Sequence, residues 1–130
     1  MDRSQQPKAS TTRTVWDKVY NEAQAKRGET AYGQECASCH AEDHGGGSNA
    51  PSLIGGDFSF QWSDRTVGDL FERIRMLMPP DRPNALSSEV YRDIVAFILQ
   101  SNKYPPGEKE LGTELDTLRQ ILITKARPEL

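Results

Sequence analysis

Cys36-Ala37-Ser38-Cys39-His40 is the stretch of this 130-residue chain that decides its fold. Two cysteines separated by two residues and followed at once by a histidine form the attachment motif of a c-type haem. This spacing lets both thiols reach neighbouring vinyl groups of one porphyrin and holds the histidine against the iron. The motif uses both cysteines of the chain. It predicts one haem c per chain, attached through Cys36 and Cys39, with His40 as the first axial ligand.

Three other uses of a Cys-x-x-Cys pair compete with haem attachment. A zinc site would add His44 to the three motif residues, which crowds four ligands together without a second knuckle. A thioredoxin-like dithiol requires a βαβ context, and the chain shows no run of alternating apolar and polar residues. A structural disulfide is the third alternative. Haem attachment is favoured because both cysteines are used by it and because the rest of the chain supplies a sixth ligand.

The composition fits one domain built around a bulky cofactor. Apolar residues make up only 35% of the chain, which is thin for a core, and a porphyrin would add apolar bulk. The net charge is −3, and charges of both signs are spread along the sequence. A nucleic-acid-binding protein would show a basic stripe instead, so nucleic acid is excluded as a partner.

We predict three parts in the chain. Residues 1–13 are polar and disordered, residues 14–107 form a mono-haem domain, and residues 108–130 form a C-terminal extension with a short helix. No apolar run reaches the ~18 residues of a transmembrane helix, and no signal peptide is visible. Because haem is attached to such motifs outside the cytoplasm, we expect a periplasmic or otherwise extracytoplasmic protein. Its export signal or preceding domain would then be absent from this chain, with Met1 as a cloning artefact.

The helical signals predict an all-α fold. Asn21 and Gln24 resemble a capping box that starts the first helix. Gly28 inside this helix indicates either close approach of another helix or simple tolerance of glycine. Residues 41–63 are predicted as a long irregular loop, because glycines punctuate them and no periodic pattern persists. A phosphate-binding loop is excluded there, since no Gly-Lys-Ser/Thr follows.

Further helices follow this loop. Thr66 and Asp69 predict a capped helix start, and the prolines at 79–80 end that helix. A third helix starts at Ser87 and closes near Asn102. The apolar face of the second helix consists of Leu70, Phe71, Ile74 and Leu77. One side of the short C-terminal helix is predicted to carry Leu115, Leu118 and Leu122.

The second axial ligand is sought among the remaining histidine and methionines. The candidates are His44, Met76, Met78 and, weakly, Met1. His44 is too close to the motif histidine to cross to the other face of the haem. Counted from Leu70 at about 100° per residue, Met78 falls at about 80° on the apolar face and Met76 at about 240° on the opposite face. Met78 is therefore favoured, and Met76 stays open as the alternative.

The sixth ligand decides between classes of function. A thioether opposite an imidazole favours ferrous iron and raises the reduction potential, and closed six-coordinate iron suits a one-electron carrier. An open sixth position would instead suit a peroxidase-like enzyme or a gas-binding protein. A third alternative is a docking module of a larger redox enzyme.

Over residues 21–104 the chain resembles the class I c-type cytochromes. Besides the haem motif, the resemblance rests on Gly28 and Tyr32 in the first helix, the run 50–53, the Met78-Pro79 pair and Phe97. It implies the cytochrome c fold, in which three to five helices wrap around one covalently bound haem. In that fold the first and last helices cross, here near Gly28 and Phe97.

The same resemblance assigns a haem pocket. It implies that the carbonyl of Pro51 accepts a hydrogen bond from the axial histidine, a contact that would fix the imidazole. Leu53, Trp62 and Tyr32 would line the pocket, with the indole of Trp62 donating to a haem propionate. Ala50 departs from the family, which often has glycine there.

A narrower similarity extends from Thr66 through Leu86-Ser87 to Tyr104-Pro105. This pattern is similar to cytochrome domains that accompany or are fused to quinoprotein dehydrogenases. It implies an electron carrier that is not itself an enzyme and relays electrons from a dehydrogenase to an oxidase or another cytochrome. The chain would be a monomer or a domain of a larger protein.

Cys36→Ala and Cys39→Ala test the covalent attachment. Each variant should keep a single thioether, which shifts the α-band of the reduced protein relative to the unchanged chain. Absorption spectroscopy of the reduced proteins measures the shift. An unshifted band would contradict attachment through both cysteines.

Overall fold

Helices dominate the part of the chain that the structure describes. The structure is a computed structural model, and it describes residues 13–35, 54–78 and 84–124. The helices are α1 (Glu22–Glu35), α2 (Gly55–Trp62), α3 (Val67–Leu77), α4 (Ser88–Ser101) and α5 (Leu115–Leu118). Two short strands, β1 (Arg13–Thr14) and β2 (Ile121–Leu122), pair in parallel. This architecture agrees with the predicted all-α class.

Three helices begin where the sequence predicts. The side chain of Asn21 accepts a hydrogen bond from the backbone N–H of Gln24 at 2.9 Å, just before α1. Thr66 and Asp69 form a reciprocal capping box at the start of α3, with both bonds at 3.1 Å. The hydroxyl of Ser87 caps α4 by accepting from the N–H of Val90. Each cap contributes about 1 kcal/mol by pairing an otherwise free N–H.

Helix α2 corrects the prediction of a loop over residues 41–63. Residues 55–62 are helical, and Phe58 and Trp62, four positions apart, are buried on one face. Two adjacent glycines at 55–56 conceal the helix start in the sequence. Gly55 adopts a φ of +72°, which costs glycine little because it has no Cβ. Residues 41–53 lie outside the described residues.

Helices α1 and α4 cross with their backbones in close approach. A Cβ added at Gly28 would overlap the carbonyl oxygen of Asp93 and would lie 3.0 Å from the Cβ of Phe97. The rings of Tyr32 and Phe97 pack beside this crossing, with centroids 5.5 Å apart. The reading of Gly28 as a point of close helix approach is therefore confirmed, as is the crossing near Phe97.

Buried residues of all the described helices form one hydrophobic core. Helix α4 contributes most of them, with Tyr91 and Ile94 to Leu99 buried. The C-terminal segment belongs to the same core, because Leu118, Ile121 and Ile123 are fully or almost fully buried.

Gln24 ties the C-terminal segment to α1. This residue is fully buried, and its amide both donates to the carbonyl of Leu111 at 2.9 Å and accepts from the N–H of Leu111 at 2.8 Å. Its side-chain amide therefore bonds to Leu111 and not back to Asn21. Of the expected capping box, the structure shows the bond from the N–H of Gln24 to the side chain of Asn21. The amide satisfies both backbone groups of Leu111, which would be costly to bury unpaired.

An ion-pair cluster lies over the same junction. Arg27 contacts Asp93 at 3.1 Å and Glu110 at 2.8 Å, so that one guanidinium links α1, α4 and the C-terminal segment. The hydrogen bond from Arg27 lowers the pKa of Glu110 below its ordinary value. Because Arg27 and Glu110 are each more than a third exposed, solvent weakens their pair, and packing holds the junction more than charge does.

The predicted division into three parts stays a prediction. Arg13, the last residue of the segment predicted to be disordered, pairs with Ile121 in the described sheet. The predicted short C-terminal helix is present as α5, but it ends at Leu118, and Leu122, expected on its apolar side, lies in β2. Residues 1–12 and 125–130 lie outside the described residues.

Gly28→Ala tests the helix crossing. The new methyl group would overlap the Asp93 carbonyl, so we expect the free energy of unfolding to fall by about 1–3 kcal/mol. Urea unfolding of the haem-loaded protein, followed by circular dichroism, measures it. Gly33→Ala is the matched control in the same helix, because its added Cβ meets no described residue within 4 Å. That control should leave stability unchanged or raise it by up to about 1 kcal/mol. Equal effects of the two substitutions would contradict the close approach.

Candidate functional site

The described residues include one part of the predicted haem site. Met78, Trp62 and Tyr32 are described, and so is the alternative ligand Met76. The predicted attachment and pocket residues outside the described ranges are Cys36, Cys39, His40, Pro51 and Leu53. Helix α1 ends at Glu35, immediately before the motif, so the helix crossing at Gly28 sets the direction from which the chain enters it.

The two methionines occupy different environments at the end of α3. Met78 is the C-cap residue, and it is half-buried and packed against the core. Met76 is 57% exposed. The side chains of α3 that the structure shows as buried are Val67, Leu70, Phe71 and Ile74. The helical-phase prediction that Met78 continues this face while Met76 points away from it is therefore confirmed, whereas the identity of the iron ligand stays a prediction.

Both backbone polar groups of Met78 are paired. Its N–H donates to the carbonyl of Ile74 at 2.9 Å, which closes the last turn of α3. Its carbonyl accepts a hydrogen bond from the hydroxyl of Tyr91, in α4, at 2.8 Å. The same hydroxyl accepts from the N–H of Leu86 at 3.2 Å. The chain is thus fixed on both sides of the Met78 side chain.

Tyr91 is the residue whose importance sequence reasoning missed. It lies in α4, and its side chain is fully buried. A buried tyrosine nevertheless needs a partner for its hydroxyl. One tyrosine among aliphatic residues at a helix start is the signal that could have indicated a contact with a preceding segment.

Trp62 is buried under two arginines. It is 4% exposed, and the guanidinium groups of Arg65 and Arg73 lie 4.7 and 5.6 Å from its ring centroid. Such cation–π contacts are worth about 0.5–1 kcal/mol at exposed positions. They place two positive charges beside the indole that, by the family resemblance, would donate a hydrogen bond to a haem propionate.

The residues present fit a haem c in their chemistry. The set consists of two thiols and an imidazole in the motif and a half-buried thioether at the end of α3. Among the residues that the structure describes, no three His, Cys, Asp or Glu side chains form a group able to hold a metal ion. The alternative zinc set includes His44 and lies wholly outside the described ranges.

No described helix is both long enough and apolar enough to cross a membrane.

Comparison with known proteins gives two matches. The family model described as cytochrome c oxidase, cbb3-type, subunit III matches residues 23–98, more than half of the chain. Among solved structures, the sulfane dehydrogenase SoxCD from Paracoccus pantotrophus is similar, with a TM-score of 0.55 and 22% sequence identity. That match covers 94% of this chain and 66% of the solved chain, so this chain spans slightly less than two thirds of that protein. No curated protein matches the sequence.

Proposed function

Because this chain belongs to the family of cbb3-type cytochrome c oxidase subunit III and is a class I c-type cytochrome, we propose that it is an extracytoplasmic one-electron carrier. In this proposal Cys36 and Cys39 would hold one haem c, and His40 and Met78 would bind its iron. Haem-based electron transfer is the chemistry that membership of the family implies. The family and the cytochrome c fold expected from the sequence are thereby confirmed.

The position of Met78 is the observation that carries the proposed ligation. Its thioether belongs to a half-buried side chain at a fixed end of α3, whereas Met76 is mostly exposed. A haem iron held between imidazole and thioether exchanges single electrons at a raised potential. The role of Met78 is to supply a soft ligand and to keep the sixth position closed to water and small molecules.

Residues around the haem have supporting roles in this proposal. By the family resemblance, the carbonyl of Pro51 would accept from the imidazole N–H of His40 and so fix the plane of the ring. Leu53 and Tyr32 would exclude water from the pocket. Trp62 would donate to a propionate, whose negative charge the guanidinium groups beside its ring would favour.

The partners we propose are redox proteins. The donor is a dehydrogenase, of the quinoprotein class by the sequence similarity, and the acceptor is an oxidase or another cytochrome. The likeness to one chain of a sulfane dehydrogenase is compatible with a dehydrogenase partner, although at 22% identity it carries only the fold. The chain passes electrons between partners without converting a substrate, as a monomer or as a domain of a larger protein.

Carbon monoxide tests whether the sixth position is closed. The reduced native protein should not bind carbon monoxide during manual mixing, because the thioether would occupy the sixth position on the iron. The ferric protein should show the far-red absorption band of a sulfur–iron bond. Rapid carbon monoxide binding by the native protein would instead indicate a peroxidase-like or gas-binding haem protein.

Substitution of the two methionines tests which one binds iron. Met78→Ala should abolish the far-red band and lower the reduction potential, because the thioether is lost. Met76→Ala is the matched control, two residues away on the exposed side of the same helix, and it should leave both nearly unchanged. Absorption spectra and a redox titration measure the two effects. A reversed result would identify Met76 as the ligand.

A further inference from the structure

The hydroxyl of Tyr91 connects the two ends of the segment between α3 and α4. It donates to the carbonyl of Met78, on one side of residues 79–85, and accepts from the N–H of Leu86 on the other. One buried oxygen thus joins the backbone of Met78 to the backbone of Leu86. We refer to these two hydrogen bonds as the Tyr91 clamp.

The position of the clamp is set by rigid surroundings. The side chain of Tyr91 is fully buried, and its backbone N–H bonds to Ser87 in the first turn of α4 at 3.0 Å. The backbone of α4 that carries Tyr91 is also held against α1, because Gly28 packs on Asp93 two residues further along α4. The Met78 carbonyl therefore meets a fixed donor and not a mobile surface group.

We infer that Tyr91 is a positioning residue that holds the Met78 sulfur on the haem iron. This inference rests on the proposed ligation by Met78. The sulfur moves farthest from the iron, and admits another ligand most readily, when the backbone of Met78 can shift. The clamp opposes that shift, because breaking it would leave a buried hydroxyl and a carbonyl without partners. The clamp favours the ligated state to the extent that it breaks when the sulfur leaves the iron, because only such a difference can shift the equilibrium.

Tyr104 offers a matched control for the loss of a buried hydroxyl. It is 5% exposed, and its hydroxyl donates to the carbonyl of Thr124 at 3.2 Å. Tyr104→Phe therefore removes the same chemical group from a bond to a main-chain carbonyl in the C-terminal part of the fold. A general loss of stability would affect Tyr91→Phe and Tyr104→Phe alike, whereas ligand positioning would affect only Tyr91→Phe.

The experiment compares both variants with the unchanged haem-loaded protein. Each ferric protein is titrated with imidazole, which competes with the thioether, while the far-red sulfur–iron band is followed. Tyr91→Phe should bind imidazole about tenfold more tightly, equivalent to the ~1.4 kcal/mol of about one net hydrogen bond. Tyr104→Phe should stay within about twofold of the unchanged protein.

Hydrogen exchange gives a readout of the clamp that does not depend on the iron. The amide of Leu86 should exchange about tenfold faster in Tyr91→Phe, because its acceptor is gone. The amide should be unaffected in Tyr104→Phe. Unchanged exchange of Leu86 in Tyr91→Phe would contradict the clamp itself.

The outcomes separate this inference from the proposed function. If the unchanged protein lacks the far-red band, ligation by Met78 fails and the inference fails with it. If the unchanged protein shows the band but Tyr91→Phe and Tyr104→Phe bind imidazole equally, the proposed function stands and the positioning role is overturned. Tighter imidazole binding by Tyr91→Phe alone, together with faster exchange of Leu86, supports both.

Discussion

The contact between the backbones of α1 and α4 at Gly28 is the constraint on which the rest of the structure depends. The carbonyl oxygen of Asp93 occupies the space where any other residue would carry a Cβ, so the two helices approach more closely than side chains would allow. The crossing fixes α1, whose last residue precedes the haem motif, and α4, which carries Tyr91. The helix that leads into the haem motif and the helix that contacts Met78 are therefore positioned by the same contact.

The end of α3 is the second determinant of the proposed site. The capping box at Thr66 and Asp69 sets where the helix begins, and its length then places Met78 at the C-cap position, on the buried side. The local sequence predicts this position of Met78, but it does not predict which other helix Met78 contacts. The hydrogen bond from the hydroxyl of Tyr91 fixes the distance between the Met78 carbonyl and α4, which helical phase alone does not determine.

The C-terminal segment completes the core on the other side of the crossing. The family model ends at residue 98, yet Leu111, Leu118 and Ile121 are buried among residues of the matched region. Gln24 and Arg27, both on α1, hold this segment through hydrogen bonds to Leu111 and Glu110. A segment that could be regarded as an appendage is thus packed into the same core as the predicted haem domain.

The sequence by itself determined the haem chemistry, the all-α class, the starts of three helices and the different faces of Met76 and Met78. These features depend on residues within a few positions of one another, where spacing and helical phase are sufficient. The two glycines at 55–56 show the limit of such local signals, because they hid the start of α2. Only the tertiary structure decided between the two readings of Gly28, paired Gln24 with a residue 87 positions away and brought Tyr91 to Met78. Such contacts depend on how the helices cross, and patterns within a few residues of one another do not reveal that.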